Sequence, residues 1–286
     1  MLSKVQSFGL TGIDGFLTQI ETDIIGGVPH FEIVGLGDTA VKEAKDRVKS
    51  AIRNSGFEYP VKHYTINLAP ADVKKEGPFY DLGIAVGILS ASEQIKTKKY
   101  KDFIFIGELS LDGTIKKVRG VLPILISARN MGYTKFILPK ENSEEAKFIS
   151  GMEIYAFSNL REVVEFLNGE NQVPVERLET KSFEEVAKTN SNKLDFENVK
   201  GQASAKRALE IAAAGGHNVL MIGPPGSGKS MLAKCFSGIL PDLTFEEALE
   251  VTKIHSIAGE LDLKKGIITE RPFRTPHHTA STVSMT

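Results

Sequence analysis

The sequence contains a single cysteine, Cys235, in 286 residues. One thiol cannot form an intrachain disulfide, so we expect a protein of the reducing cytoplasm in which Cys235 serves core packing. No apolar run approaches the roughly 20 residues that a membrane-spanning helix needs. The first residues also lack the apolar segment of a secretory signal. These absences predict a protein without a membrane partner.

An excess of charge of either sign is also missing, because 35 Lys and Arg stand against 36 Asp and Glu, for a net charge of −1. The balance gives no indication of a nucleic-acid partner, although a local basic patch or a pore formed by an oligomer stays possible. A hydrophobic content of 41% and a charged content of 25% are typical of globular proteins. The length predicts one to three domains, with two as the central expectation.

Residues 1–168 carry the mixed patterns of an α/β domain. Short alternating or apolar runs predict strands at 15–24, 30–36, 64–69, 103–109, 114–118 and 136–139. Helical spacing predicts helices at 39–55, 82–92, 121–131 and 160–167, the first of them capped by Asp38. The helix at 39–55 carries five basic residues, which are more often a solvated face than a binding site: Lys42, Lys45, Arg47, Lys49 and Arg53.

A polar stretch rich in helix breakers, residues 169–194, predicts a linker to a second domain at 195–286. In that domain we expect a helix at 202–214, a short buried strand at 218–222 and a helix at 231–240. A further helix follows from 244 to about 255, with Thr244 as its N-cap.

One motif lies between the predicted strand and helix of the second domain and fits G-x-x-x-x-G-K-[ST], the phosphate-binding P-loop. It consists of Gly223, Pro224, Pro225, Gly226, Ser227, Gly228, Lys229 and Ser230. Glycines let backbone N–H groups converge on an anion, and the following helix directs its positive dipole end at the phosphates. Lys229 is expected to reach the β and γ phosphates of ATP, and the Ser230 hydroxyl to bind Mg²⁺. The motif predicts nucleotide binding and leaves the use of the energy open.

Other segments resemble a known family. The DFENVKGQ of residues 195–202 and the AKRALEIAAAGGHN of residues 205–218 resemble AAA+ ATPases of the magnesium-chelatase-like branch, and most closely the ComM/YifB family. The RPFRTPHHT of residues 271–279 is similar to a signature of that branch. In the first domain, FEIVGL at 31–36, NLAPAD at 67–72 and KEGP at 75–78 are similar to family segments. The resemblance covers nearly the whole chain.

The resemblance implies an α/β fold in which a ribosomal S5 domain 2-like module, shared with Lon-type proteases, precedes part of a P-loop AAA+ domain. It implies a cytoplasmic ATPase that forms a homo-oligomeric ring, a hexamer, and moves along DNA to drive branch migration in recombination or natural transformation. Four residues are candidates for DNA contact: Arg271, Arg274, His277 and His278. The two histidines could also be metal ligands, and Arg271 and Arg274 could also belong to a plain exposed hairpin.

Other functions stay open beside the DNA motor. A chelatase-type or protein-remodelling AAA+ ATPase would use the same P-loop. A nucleotide-gated scaffold, whose first domain recruits a partner, would also bind ATP. A Lys229→Ala change would separate these classes, since a scaffold should keep its partner while a motor should lose work.

Two departures from related enzymes limit the expected chemistry. The segment at 77–83, which corresponds to the Lon nucleophile loop, contains no serine, and Leu122 stands where a lysine is expected. Without nucleophile and base we expect no peptidase activity, and no residue is assigned a catalytic role. After Ser230 no apolar strand ends in an acidic pair, since the nearest acidic element, Glu260-Leu261-Asp262, lacks the apolar run. We therefore expect a longer protein, of which these residues alone bind ATP weakly and hydrolyse it poorly.

Overall fold

A computed structural model of the chain describes residues 2–170, 177–189, 195–262, 264–276 and 279–280. The chain forms two compact units. The first comprises residues 1–181 and 250–267, and the second comprises residues 182–249 and 268–286. Residues 250–267, which the sequence assigns to the second domain, thus pack within the first unit. The domain boundaries at 168, 169–194 and 195 stay a prediction.

The strands of the first unit form a seven-stranded sheet in the order β3-β4-β2-β1-β5-β8-β9, with a separate two-stranded sheet of β6 and β7. The strands are β1 (Leu2–Thr11), β2 (Asp14–Ile25), β3 (His30–Val34), β4 (His63–Ala69), β5 (Ile104–Phe105), β6 (Glu108–Leu109), β7 (Ile115–Lys116), β8 (Lys135–Pro139) and β9 (Glu153–Phe157). Four of the neighbouring pairs in the large sheet are parallel, and β2 pairs with β1 and β4 in the antiparallel sense. The predicted α/β fold class is confirmed.

The helices occur in both units. They are α1 (Thr39–Asn54), α2 (Asp81–Ala91), α3 (Val121–Asn130), α4 (Ser143–Ala146), α5 (Leu160–Asn168), α6 (Phe183–Thr189), α7 (Ala203–Gly215), α8 (Lys229–Ile239) and α9 (Phe245–Ala258). In the described part of the chain, none of them is both long and apolar enough to cross a bilayer.

The core of the first unit lies between the large sheet and helices α1, α2 and α5, which contribute to one cluster of buried side chains. Helix α2 is buried along its whole length, which agrees with its almost continuous apolar sequence. Helix α1 is amphipathic, and it begins at the predicted cap, where Asp38 Oδ1 accepts the N–H of Val41 at 2.8 Å. Local patterns therefore predicted both helices.

The prediction of one strand at 103–109 is wrong, because the strand is interrupted at Ile106 and Gly107, between β5 and β6. This glycine has φ of 159°, and a Cβ atom on it would lie 2.7 Å from Ile115 Cγ2. The N–H of Gly107 donates to the carbonyl of Phe79, and its own carbonyl accepts the N–H of Leu82. These two bonds tie the interruption to the start of α2. The predicted hairpin that follows is confirmed by the pairing of β6 with β7.

The predicted buried strand at 218–222 is also wrong. These residues belong to no strand, and Leu220 and Ile222 are 84% and 89% exposed. A strand needs a neighbour to receive its backbone hydrogen bonds, and the described residues of the second unit form no other strand. The helices on either side, α7 and α8, are confirmed.

Several strands and helices of the structure were not predicted from the sequence. Strands β1 and β9 and helices α4 and α6 were not predicted, and α6 lies inside the stretch taken as a linker. The capping of α9 was predicted, since Thr244 Oγ1 accepts the N–H of Glu247 and Glu247 Oε2 accepts the N–H of Thr244. Cys235 is buried beside Phe196, Leu209 and Leu232, as expected for core packing.

Candidate nucleotide-binding site

The P-loop connects residues 218–222 to helix α8. Gly226 and Gly228 have φ of 78° and 86°, a region in which side chains other than glycine are strained. Gly228 occupies the N-cap position of α8, directly before Lys229. The glycines are thus placed where the chain must turn sharply into the helix, as the motif predicts.

The ammonium group of Lys229 lies over the loop. Its Nζ atom donates to the carbonyls of Gly223 and Pro224, each at 2.8 Å, and contacts Ser227 Oγ at 3.2 Å. The side chain therefore curls back along the loop and places its positive charge at the loop's centre. A phosphate bound there would accept charge-assisted hydrogen bonds from the ammonium group of Lys229.

The backbone of the loop presents donors without internal acceptors. In the described part of the chain, the N–H groups of Gly226, Gly228, Lys229 and Ser230 have no hydrogen-bond partner. Converging N–H groups at a helix N-terminus form an anion-binding nest. The loop and Lys229 together offer both the donors and the charge that a polyphosphate requires.

The fit of Mg²⁺ depends on Ser230. Its side chain is exposed at the start of α8, and a hydroxyl oxygen is a suitable ligand for this hard cation. Among the residues that the structure describes, no group of three or more His, Cys, Asp or Glu side chains could hold a metal ion. Mg²⁺ at this loop would therefore be carried mainly by nucleotide phosphates and water, with Ser230 as its protein ligand.

The acidic element at 260–262 does not resemble a magnesium-binding strand. The Oδ1 atom of Asp262 accepts the N–H of Lys264, and its carbonyl accepts the N–H groups of Lys265 and Gly266. Asp262 thus closes a turn within the first unit. This agrees with the sequence analysis, which found no apolar run beside it.

The candidate DNA contacts fall into different environments. Arg271 is partly buried, and its Nε atom donates to the carbonyl of Pro241 at 2.8 Å while one terminal nitrogen lies 3.3 Å from both carboxylate oxygens of Glu247. Arg274 is exposed. His277 and His278 lie outside the described residues. Their contact with DNA stays a prediction, and Arg271 would have to exchange Glu247 for a phosphate.

The segment at 77–83, which corresponds to the Lon nucleophile loop, is occupied by a structural ion pair. Asp81 is buried and accepts two bonds from Arg47, at 2.7 Å from Nε and 3.1 Å from a terminal nitrogen. Burial raises the pKa of Asp81, and the bonds to Arg47 oppose that rise. The sequence analysis placed Arg47 on a solvated face of α1. This prediction is wrong, because the guanidinium group of Arg47 binds the buried carboxylate of Asp81.

Leu122, which stands where a Lon-type enzyme is expected to have its lysine, is also buried. Leu122 is fully enclosed at the start of α3, and its N–H lies 3.4 Å from Oε2 of Glu145. Glu145 also accepts from the side chains of Asn142 at 2.6 Å and Ser256 at 2.9 Å. These groups make a closed polar network, which joins α3 to α4 and to the end of α9.

Comparison with known proteins matches both parts of the chain to magnesium chelatase. Residues 20–142 match the family described as Subunit ChlI of Mg-chelatase, and residues 195–286 match the family described as Magnesium chelatase, subunit ChlI. The two matches fall largely in the first unit and around the P-loop.

Two individual relatives match along nearly the whole chain, and a third matches about half of it. Competence protein ComM of Haemophilus influenzae is 44% identical over 283 residues, which are 98% of this chain and 54% of that protein. The uncharacterized protein YifB of Escherichia coli is 44% identical over 284 residues, 99% of this chain and 54% of the relative. A Lon protease of Finegoldia magna is 28% identical over 174 residues, 56% of this chain and 22% of that protein. The chain spans about half the length of the ComM and YifB relatives. With both chelatase matches and this coverage, the chain belongs to the ComM/YifB family of magnesium-chelatase-like proteins.

Proposed function

We propose that this chain carries the ATP-binding part of an AAA+ motor that moves along DNA. The observation that carries the proposal is the P-loop, in which Lys229 Nζ contacts the loop carbonyls and, in the described part of the chain, the N–H groups of Gly226, Gly228, Lys229 and Ser230 have no partner. At a coarser level the family is AAA+ ATPase-like, which agrees with nucleotide binding. The movement along DNA, the hexameric ring and the role in branch migration are proposals.

The residues have separate roles in this proposal. The backbone of residues 223–230 wraps the phosphates, and Lys229 exchanges the carbonyls of Gly223 and Pro224 for phosphate oxygens. Ser230 ligates Mg²⁺, which shields the charge between the β and γ phosphates. Arg271 and Arg274 are the described residues that would contact the DNA backbone.

The test measures the ATPase rate of the full gene product without DNA and then with single-stranded, duplex and four-way-junction DNA. Lys229→Ala should abolish turnover, while Lys234→Ala, which removes an exposed lysine from the same helix, should leave it intact. Stimulation that is strongest on junctions supports a branch-migration motor. An ATPase rate that is the same with and without each of these DNAs would contradict the proposal of a DNA motor.

A chelatase-type or protein-remodelling motor is the second candidate, favoured by the match of both chain segments to a magnesium-chelatase subunit. It predicts an ATPase that responds to a protein partner and not to DNA. If Lys229→Ala kept partner binding and no nucleotide-dependent work were found, a nucleotide-gated scaffold would remain.

A further inference from the structure

A pocket of about 180 Å³ lies in the first unit between helix α1, the edge strand β3 and the loop that enters β4. Its lining is dominated by two chemical types. The cationic side chains are Lys45, Lys49, Arg53 and Lys62, and the aromatic side chains are His30, Phe31, Tyr59 and Tyr64. No Asp or Glu is among the lining residues. The pocket therefore combines a positive potential with π-faces.

The aromatic wall is held in place from behind. The rings of Tyr59 and Tyr64 stack with centroids 4.8 Å apart and planes 23° apart. Tyr64 is almost fully buried, and its hydroxyl donates to the carbonyl of Pro60 at 2.5 Å. Since Tyr64 is fixed, it supports Tyr59, which is only partly buried. Tyr59 is thus a preorganised stacking platform.

The cations form a row along one side of α1. Lys45, Lys49 and Arg53 follow one another at intervals of four residues, which places them about 12 Å from first to last. The guanidinium carbon of Arg53 lies 5.7 Å from the centre of the Tyr59 ring. In the described part of the chain none of the three pairs with a carboxylate, whereas Arg47 on the same helix pairs with Asp81.

Two carboxylates lie close to this row in sequence, and the charge of Asp46 acts on Tyr59. Asp46 on α1 and Glu58 beside Tyr59 form no ion pair with the lining cations. Lys42, one turn before Lys45, is exposed and continues the row beyond the pocket. The positive row therefore extends past the residues that line the pocket and is longer than a single phosphate group.

We propose that this pocket binds one unstacked nucleotide of a single-stranded nucleic acid. The base stacks on Tyr59, and the backbone phosphates on either side of it follow Lys45, Lys49 and Arg53. Stacking on aromatic side chains combined with a cationic track is how single strands are bound without sequence preference. A free nucleotide shares this chemistry, but the length of the row favours a strand. The site belongs to the first unit and needs no ATP hydrolysis, so it goes beyond the proposed motor.

The test measures fluorescence anisotropy of a labelled short oligothymidylate with the full chain, in the absence of nucleotide and Mg²⁺. Tyr59→Ala should weaken binding about tenfold, and Tyr59→Phe should retain it, because the phenyl ring still stacks. Circular dichroism checks that Tyr59→Ala is folded. An abasic oligonucleotide of the same length should bind about as weakly to the unchanged protein as oligothymidylate binds to Tyr59→Ala.

The lysines are tested by the dependence on salt. Replacing both Lys45 and Lys49 by Gln should reduce the slope of log K against log salt by about 1.4, since each phosphate contact to a single strand contributes about 0.7. The matched control replaces Lys98 and Lys101 by Gln, which removes the same charge from exposed positions of the same unit. The control should leave the slope unchanged.

The outcomes separate this site from the motor. Binding that survives Lys229→Ala and falls in the Tyr59 and lysine variants supports the site, even if DNA fails to stimulate the ATPase. No binding, equal binding of the abasic strand, or equal losses in the Lys98/Lys101 control would overturn it. Displacement of the strand by thymidine monophosphate at equal concentration would show a mononucleotide pocket and would also overturn it.

Discussion

Two short apolar runs of similar composition behave differently in the two units. In the first, YTINLA at 64–69 lies in β4, hydrogen-bonded between β2 and β3, with Leu68 fully buried. In the second, NVLMI at 218–222 has no strand beside it, and Leu220 is 84% exposed. The comparison teaches that an apolar run specifies a strand only where neighbouring strands are present to pair with it.

The largest expected difference is in amide hydrogen exchange. Amides of β4 should exchange only through global opening and be protected by more than about 10³-fold, because both their hydrogen bonds and their burial depend on the whole sheet. Amides of residues 218–222 have no backbone partner in the described chain and should exchange nearly freely. Exchange followed by mass spectrometry would break the comparison if both segments were equally protected.

The next largest difference is expected in the free energy of unfolding of two variants, each of which removes the arginine of one ion pair. Arg47→Ala leaves the buried Asp81 without its cationic partner, with only the N–H of Leu109 still donating to it, and should cost about 3–5 kcal/mol of the free energy of unfolding. Arg271→Ala removes an arginine from the far more exposed Glu247 and should change stability little, since solvent screens that pair. Urea unfolding measures both. An Arg47→Ala protein as stable as the unchanged chain would show that the buried pair contributes nothing.

Two leucines sharpen the same contrast. Leu68→Ala should lower the free energy of unfolding by about 2–5 kcal/mol, because it opens a cavity in a close-packed core. Leu220→Ala should change it by less than about 0.5 kcal/mol, since the side chain is already in water. A large loss in Leu220→Ala, measured in the same denaturation experiment, would indicate that the run is buried in solution.

Helix caps should show the smallest difference. Asp38 accepts the N–H of Val41 and also that of Gly77, so Asp38→Ala removes two bonds and should cost about 2 kcal/mol. Thr244→Ala removes one cap bond and should cost about 1 kcal/mol. Thermal unfolding followed by circular dichroism compares the two. Equal losses would mean that the Gly77 bond adds no stability.

The sequence predicted what depends on local pattern. Helix α1 and its Asp38 cap, the hairpin of β6 and β7, and the glycine turn into α8 are all set by residues close together in the chain. It did not predict what depends on distant partners. Arg47 and Asp81 are 34 positions apart, so the helix pattern gave no reason to separate Arg47 from its solvated neighbours.

The candidate site shows the same division. The positions of Gly226, Gly228 and Lys229 follow from the motif, because a P-loop is a local structure that eight residues define. The cationic pocket of the first unit was not predicted, since α1, β3 and the loop before β4 supply its walls together. From the sequence, the charge run on α1 was compatible with a solvated face or a binding site. The pocket beside it and the stacked tyrosines favour a binding site.

The single cysteine has an experimental use beyond packing. Cys235 lies on α8, two turns after the P-loop, and is 1% exposed. A thiol reagent can reach it only when the second unit opens, so the rate at which Cys235 is modified reports how often that unit opens. A ligand that stabilises the P-loop should lower the rate of Cys235 modification. Because the chain has no second thiol, all of the measured modification comes from Cys235.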